Sequence, residues 1–145
     1  EAGQGNGVFF RNSDVRFREI RDGLSTTICV GERKHVHDFF GQGPYAANST
    51  WYAAVPGVFR DAGMAMMPMM KEGPGSLVLG HVGQSGMMSG KTPNHTNHIV
   101  HFSSSHVGGV VFLLCDGSTH FIQDDIDYPL FKALGTRDGG EVVNL

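Results

Sequence analysis

His106-Val107-Gly108-Gly109-Val110-Val111-Phe112-Leu113-Leu114-Cys115-Asp116-Gly117-Ser118-Thr119-His120-Phe121-Ile122 is the stretch from which the fold is read. Val110 to Cys115 is a continuous apolar run of strand length, which predicts a strand covered on both faces. Asp116-Gly117 is a hairpin turn signal, and Ser118 to Ile122 returns with β-favouring residues of matched length. An antiparallel hairpin turning at Asp116-Gly117 is therefore expected. Downstream, Asp127 is placed to cap a helix, with Pro129 tolerated in its first turn. Leu130, Phe131 and Leu134 stand at i, i+1 and i+4, so a short helix should press Leu130 and Leu134 inward, with Gly135 at its C′ position.

Upstream of the hairpin, residues 1–55 read as short, punctuated strand-like segments. Thr26 to Glu32 is rich in β-branched residues, and Thr26–Val30 is expected as a buried central strand beside the hairpin. Val8-Phe9-Phe10 ends in the turn signal Arg11-Asn12-Ser13-Asp14, and Val15-Arg16-Phe17 alternates apolar and polar. Ile20-Arg21-Asp22-Gly23 reads as one helical turn stopped by glycine. Trp51 to Val55 and His98 to Ser103 are further strand candidates. Residues 56–97 carry no sustained periodicity; they hold a methionine cluster from Met64 to Met70, a run of glycines and one apolar island, Leu77-Val78-Leu79. The fold class expected is α+β: one domain over residues 1–145, an antiparallel sheet with long Gly/Met-rich loops and a short C-terminal helix.

Composition agrees with a globular chain of many turns. Twenty-one of 145 residues are glycine, about twice the usual ~7%. The formal net charge of −3 offers no basic field for nucleic acid, although Arg11, Arg16, Arg18 and Arg21 make a local basic patch. No run approaches the ~20 apolar residues of a membrane span. Both cysteines, Cys29 and Cys115, lie in apolar runs, where a small buried hydrophobe is the ordinary role, and both are expected as free thiols, the alternative being a bridge between adjacent strands.

Four constellations carry the residue types of chemistry. Ser103-Ser104-Ser105-His106 with Asp116 has the members of a hydrolase triad but lacks the G-x-S-x-G elbow, and serines before a strand more often bond their own backbone. No enzyme is expected. His35 and His37 would share a face on a strand; with His95, His98, His101 and Asp116 they are the candidate ligands for a divalent metal such as zinc or copper. Met64, Met66, Met67, Met69 and Met70 suit Cu(I), yet methionine also packs irregular gaps and adapts to imprecise partners. That cluster is too apolar for a solvated loop: it is expected either to pack over the sheet as part of the core or, the favoured reading, to contact other subunits. Asp116, Asp124, Asp125 and Asp127 could hold calcium but lack the EF-hand pattern. The alternative function is therefore a secreted His/Met-based metal-binding domain.

His106 is separated from Asp116-Gly117 by nine residues. This H-x9-DG spacing resembles the signature of a bacterial domain-of-unknown-function family, abundant in planctomycetes, whose members carry a prepilin-type N-terminal segment. Asn6-Gly7-Val8-Phe9-Phe10-Arg11-Asn12-Ser13 and the stretch from Ile20 to Arg33 are similar to its central part, and Ala133-Leu134-Gly135-Thr136-Arg137-Asp138-Gly139-Gly140-Glu141 to its ending. The resemblance implies a type IV pilin-like or type II secretion pseudopilin-like head, lying outside the cytoplasm (periplasm or cell surface), with other pilin-like subunits or secretion components as partners. It implies no required cofactor and no catalytic residue, and it singles out His106, Gly108, Gly109, Asp116 and Gly117 as motif positions. The chain lacks both an initiator Met and the family's hydrophobic helix. It is therefore expected to be the C-terminal part of a longer precursor that meets a membrane only through that helix. An extended strand rises ~3.3 Å per residue, so His106 and Asp116 would stand roughly 30 Å apart unless the chain turns back at the glycines. Structural punctuation is the expected role: Asp116-Gly117 forms the hairpin and His106 anchors the loop before the strand.

Overall fold

The computed structural model describes residues 5–10, 12–34, 36–38, 44–46, 60–61, 71–72, 78–80, 82, 92–95, 101–141 and 143. In chain order, the strands are β1 (Ile28–Gly31), β2 (Val36–Asp38), β3 (Pro44–Ala46), β4 (Arg60–Asp61), β5 (Lys71–Glu72), β6 (Gly109–Leu114) and β7 (Thr119–Gln123), followed by the helix α1 (Tyr128–Leu134). The main sheet is three-stranded and antiparallel, in the order β1-β6-β7, while β2 pairs with β3 and β4 with β5 in separate two-stranded ladders. The fold is α+β.

The expected hairpin is present. Val110 faces Ile122, Val111 faces Phe121 and Leu113 faces Thr119. The Gly117 N–H donates to the Leu114 carbonyl at 3.0 Å, and the Leu114 N–H to the Ser118 carbonyl at 2.9 Å. Gly117 has φ +89°, a left-handed conformation in which a side chain is strained, so glycine is needed there.

The core lies on one side of this sheet. Val110, Phe112 and Leu114 point inward from β6, where they join Ile28, Ile122, Phe131 and Leu134. The Phe112 ring meets Phe131 and Phe102 edge-on at centroid distances of 5.7 and 5.0 Å, the arrangement that aromatic quadrupoles favour. The other side is more open than expected: Val111 is 39% exposed and Leu113 half-buried, because among the described residues α1 and its neighbours pack against the inner face. The apolar run concealed a period-two alternation.

Several boundaries are corrected. The strand expected over Thr26–Val30 is β1, which begins at Ile28 and lies at the sheet edge rather than its centre; Ile28 is buried but Val30 is 53% exposed. Thr26 instead ends a 3₁₀ turn over Leu24–Thr26, and Phe17 begins another over Phe17–Glu19. Neither Val8–Phe10 nor Val15–Phe17 is a strand, and the helical turn read at Ile20–Gly23 falls between the two 3₁₀ turns. Gly23, at φ +104°, starts the second turn rather than stopping a helix. The Asn12 turn is present: the Ser13 N–H donates to the Phe10 carbonyl at 3.0 Å. Residues 101–103 are not in a strand.

In α1 the inward residues are Phe131, Ala133 and Leu134, with Leu130 only half-buried, so the expected phase was off by one position. Asp127 precedes the helix but its side chain makes no capping bond. Gly135 keeps a right-handed backbone, and a Cβ there would meet the Val82 side chain, which would have to move aside. Trp51–Val55 and the methionine cluster lie outside the described residues.

Candidate functional site

The H-x9-DG segment is a strand fastened at both ends. At its start, Gly108 has φ +85°. Gly109 is buried under the hairpin: a Cβ there would strike the Ile122 carbonyl and come 2.7 Å from the Phe121 ring. The Asp124 N–H donates to the Gly108 carbonyl at 3.0 Å, closing that end of the sheet. Asn94 bridges from the side. Its amide donates to Asp124 Oδ1 at 2.9 Å and to the Gly109 carbonyl at 3.3 Å, while its Oδ1 accepts the Ser104 N–H at 2.7 Å. The His106 N–H donates to Ser104 Oγ at 3.0 Å. Its exposed imidazole Nε2 stands 3.9 Å from Glu32 Oε1, a separation at which an exposed pair contributes little. The backbone of His106, more than its ring, anchors the loop.

At the far end, Asp116 Oδ1 accepts both the N–H and the hydroxyl of Ser118, at 2.8 and 2.6 Å. These bonds from Ser118, with a smaller contribution from His120, hold the Asp116 carboxyl below its usual range. The hairpin tip is tied back to the chain: the Cys115 N–H donates to the Thr27 carbonyl at 2.9 Å and the Asp116 N–H to the Leu24 carbonyl at 3.0 Å.

From there a second cluster begins, which the sequence reading did not single out. Two Arg-Asp-Gly tripeptides, Arg21-Asp22-Gly23 and Arg137-Asp138-Gly139, meet face to face. The Arg137 carbonyl accepts the N–H groups of Arg21 and Asp22 at 2.6 and 3.2 Å. Asp22 accepts the N–H groups of Gly139 and Gly140 at 2.6 and 2.8 Å, and the Thr136 hydroxyl at 3.1 Å. Slight burial pushes this carboxyl up, but those three donors outweigh it and the net shift is downward. Arg21 pairs with Asp138 at 3.0 Å on the open surface. Arg137 then reaches across to the N-terminal segment. Its N–H donates to the Asn6 carbonyl at 2.9 Å, its guanidinium donates to the carbonyls of Gly5 (2.7 Å) and Gly7, and it lies 5.1 Å from the centre of the Phe10 ring. The duplicated tripeptide was the signal available in the sequence.

A model of a protein family of unknown function, DUF1559, matches residues 1–128. The chain belongs to the DUF1559 family. No curated protein and no solved structure matches it. The matched stretch of this DUF1559 chain includes the whole H-x9-DG hairpin and the first Arg-Asp-Gly, and it ends at the first residue of α1; the second Arg-Asp-Gly lies beyond it.

The remaining candidates are scattered. Ser103 and Ser104 are buried: Ser103 Oγ accepts the Lys34 N–H at 3.3 Å, and Ser104 Oγ is already bonded to the His106 N–H. Ser105 is exposed, and Asp116 lies at the opposite end of β6 from His106, so these groups do not converge. His101 is buried and His95 exposed. His37 lies in β2, while His35 and His98 fall outside the described residues. Among the described residues no three His, Cys, Asp or Glu side chains gather as metal ligands would. Asp124 is engaged by Asn94, whereas Asp125 and Asp127 are exposed. An apolar cavity of about 460 Å³ opens beside β1, lined in part by Phe9, Cys29, Val30, Leu79 and Phe102. Val78 belongs to the same wall and Val82 packs on the core, so the part of the 77–79 island that is described does dock near the sheet.

Proposed function

We propose that this chain is the extracytoplasmic head of a pilin-like or pseudopilin-like subunit, acting as a structural and interaction module. The observation that carries the reading is the fastening of residues 5–10 by Arg137, which joins the N-terminal segment to the turn after α1 at a fixed place. A subunit that presents its head from an N-terminal anchor requires such a rigid junction. The motif residues serve the same end: Gly109 where a Cβ would clash, Gly108 and Gly117 where the backbone is left-handed, and Asp116 closing the turn, with Asn94 bracing the strand from outside the motif. On this reading the chain is not an enzyme and needs no cofactor. Its partners are other pilin-like subunits or secretion-machinery components, and the methionines from Met64 to Met70 offer them an adaptable contact.

The full-length gene product, tagged at its C-terminus in its bacterial host, tests this. It should be cut at a prepilin-type leader, and its tag should be digested by protease added outside spheroplasts. An uncut chain kept in the cytosol would overturn the reading.

A further inference from the structure

The two cysteines, far apart in sequence, meet where β1 leaves β6. Ile28 faces Leu114 and Val30 faces Leu113, so Cys29 is the extra residue of a bulge, and bulges re-aim side chains. The Cys115 N–H is bonded to the Thr27 carbonyl, which carries the β1–β6 ladder past the end of β6. Cys115 pairs with Thr27 and Cys29 follows two residues on, so the two cysteines stand diagonally across the β1–β6 pairing, and Cys29 is one of the groups that act on the Cys115 thiol. Both are half-buried and free.

We propose that Cys29 and Cys115 form a thiol pair that closes to an intramolecular disulfide in contact with a disulfide oxidant, stapling the edge strand β1 to the β6–β7 hairpin. Cys29 is half-exposed and lines an open cavity, so its thiol is accessible from solvent. Burial, the neighbouring Cys29 and the Asp116 charge push the Cys115 thiol up to about 11, which lowers its own thiolate fraction. With oxidised glutathione, the Cys29 thiolate attacks one sulfur and forms a mixed disulfide. The old S–S bond breaks and its electron pair leaves on a glutathione thiolate. Cys115 then gives its proton to solvent and attacks the Cys29 sulfur, expelling the second glutathione thiolate. Two protein thiols are oxidised, and one glutathione disulfide is reduced to two glutathiones, which take up the two protons.

The test uses the reduced protein incubated with oxidised glutathione, quenched with N-ethylmaleimide and weighed intact. The expected product is a monomer lighter by two hydrogens that carries no maleimide. Because the bridge closes a long loop, its melting temperature should rise by roughly 5–10 °C and fall back on reduction. Cys115→Ser should stop at a glutathione adduct on Cys29. Full maleimide labelling after oxidation, or bridges found only between chains, would overturn the pairing. A bridged monomer that melts no higher than the reduced protein would overturn the stapling.

Discussion

The inner and outer faces of the three-stranded sheet are built from the same kinds of residue and meet different fates. On β6, Val110, Phe112 and Leu114 are almost wholly enclosed, while Val111, between two of them, is partly open to solvent. On β1, Ile28 is buried and Val30 exposed. The partner decides the outcome: α1 brings Phe131 and Leu134 to one face, and the described residues include no equivalent layer on the other. Hydrophobicity marks where a strand runs; the helix and turns marshalled around it decide which side is core.

That contrast can be broken most directly at adjacent residues. Phe112→Ala should cost about 3–5 kcal/mol, since it removes a buried ring and leaves a cavity, whereas Val111→Thr should cost about 0.5 kcal/mol or less. Urea denaturation of both variants is the check, and equal losses would mean that the outer face is covered too.

The next largest effect is expected at Gly109, where the strand backbone itself is the neighbour. Gly109→Ala should cost roughly 1–3 kcal/mol, because a Cβ meets the Ile122 carbonyl, which can move only by opening the β6–β7 ladder. Amide exchange at Ile122 and Gln123 should quicken in parallel. A variant as stable as the parent would remove the steric account of that motif glycine.

Arg137→Ala probes the rim rather than the sheet, and should cost about 1–2 kcal/mol, as charged hydrogen bonds to the Gly5 and Gly7 carbonyls are lost. Exchange protection should fall over residues 6–13 and hold over β6. Uniform loss of protection would place Arg137 within the cooperative core.

The smallest effect is electrostatic. The Asp22 carboxyl is shifted below its ordinary value of 3.8 in the folded protein. Its contribution is complete above that value and is lost as pH falls through the lower folded one. The group is largely solvated, so the contribution is expected to stay under ~1 kcal/mol. Comparing parent and Asp22→Asn between pH 6 and 2 should show stability converging at the acid end. A constant gap would deny the carboxylate its role.

What the sequence made legible follows the same division. The hairpin could be read because Asp116-Gly117 and two strands of matched length are local signals, and local signals survive tertiary context. The exposure of Val30 and the phase of α1 could not be read, since both depend on which layer arrives to cover them. An i, i+4 pair at Leu130 and Leu134 fits a helix face as well as Phe131 and Leu134 do, until Phe112 supplies the ring that Phe131 packs against. The Arg-Asp-Gly pair lay in plain view as two copies of one tripeptide, but nothing local links segments more than a hundred residues apart. Of the metal candidates, the imidazoles were legible as residue types, while their convergence is a property of the fold alone.

The Arg137 contacts also order events in time. They close loops of 132 and 130 residues, whereas the β6–β7 hairpin closes over a few. Long loops must lose their freedom before any contact rewards them, so the strap at residues 5–7 docks after the hairpin and helix have formed. Interactions that form after the rate-limiting barrier govern unfolding rather than folding. Arg137→Ala should therefore steepen the loss of the folded state in stopped-flow unfolding while leaving the refolding rate nearly untouched. During synthesis, residues 5–7 leave the ribosome well before Arg137, a partner that emerges about 130 residues later; Gly5, Asn6 and Gly7, small and without an apolar side chain, are residues that can wait in water without aggregating.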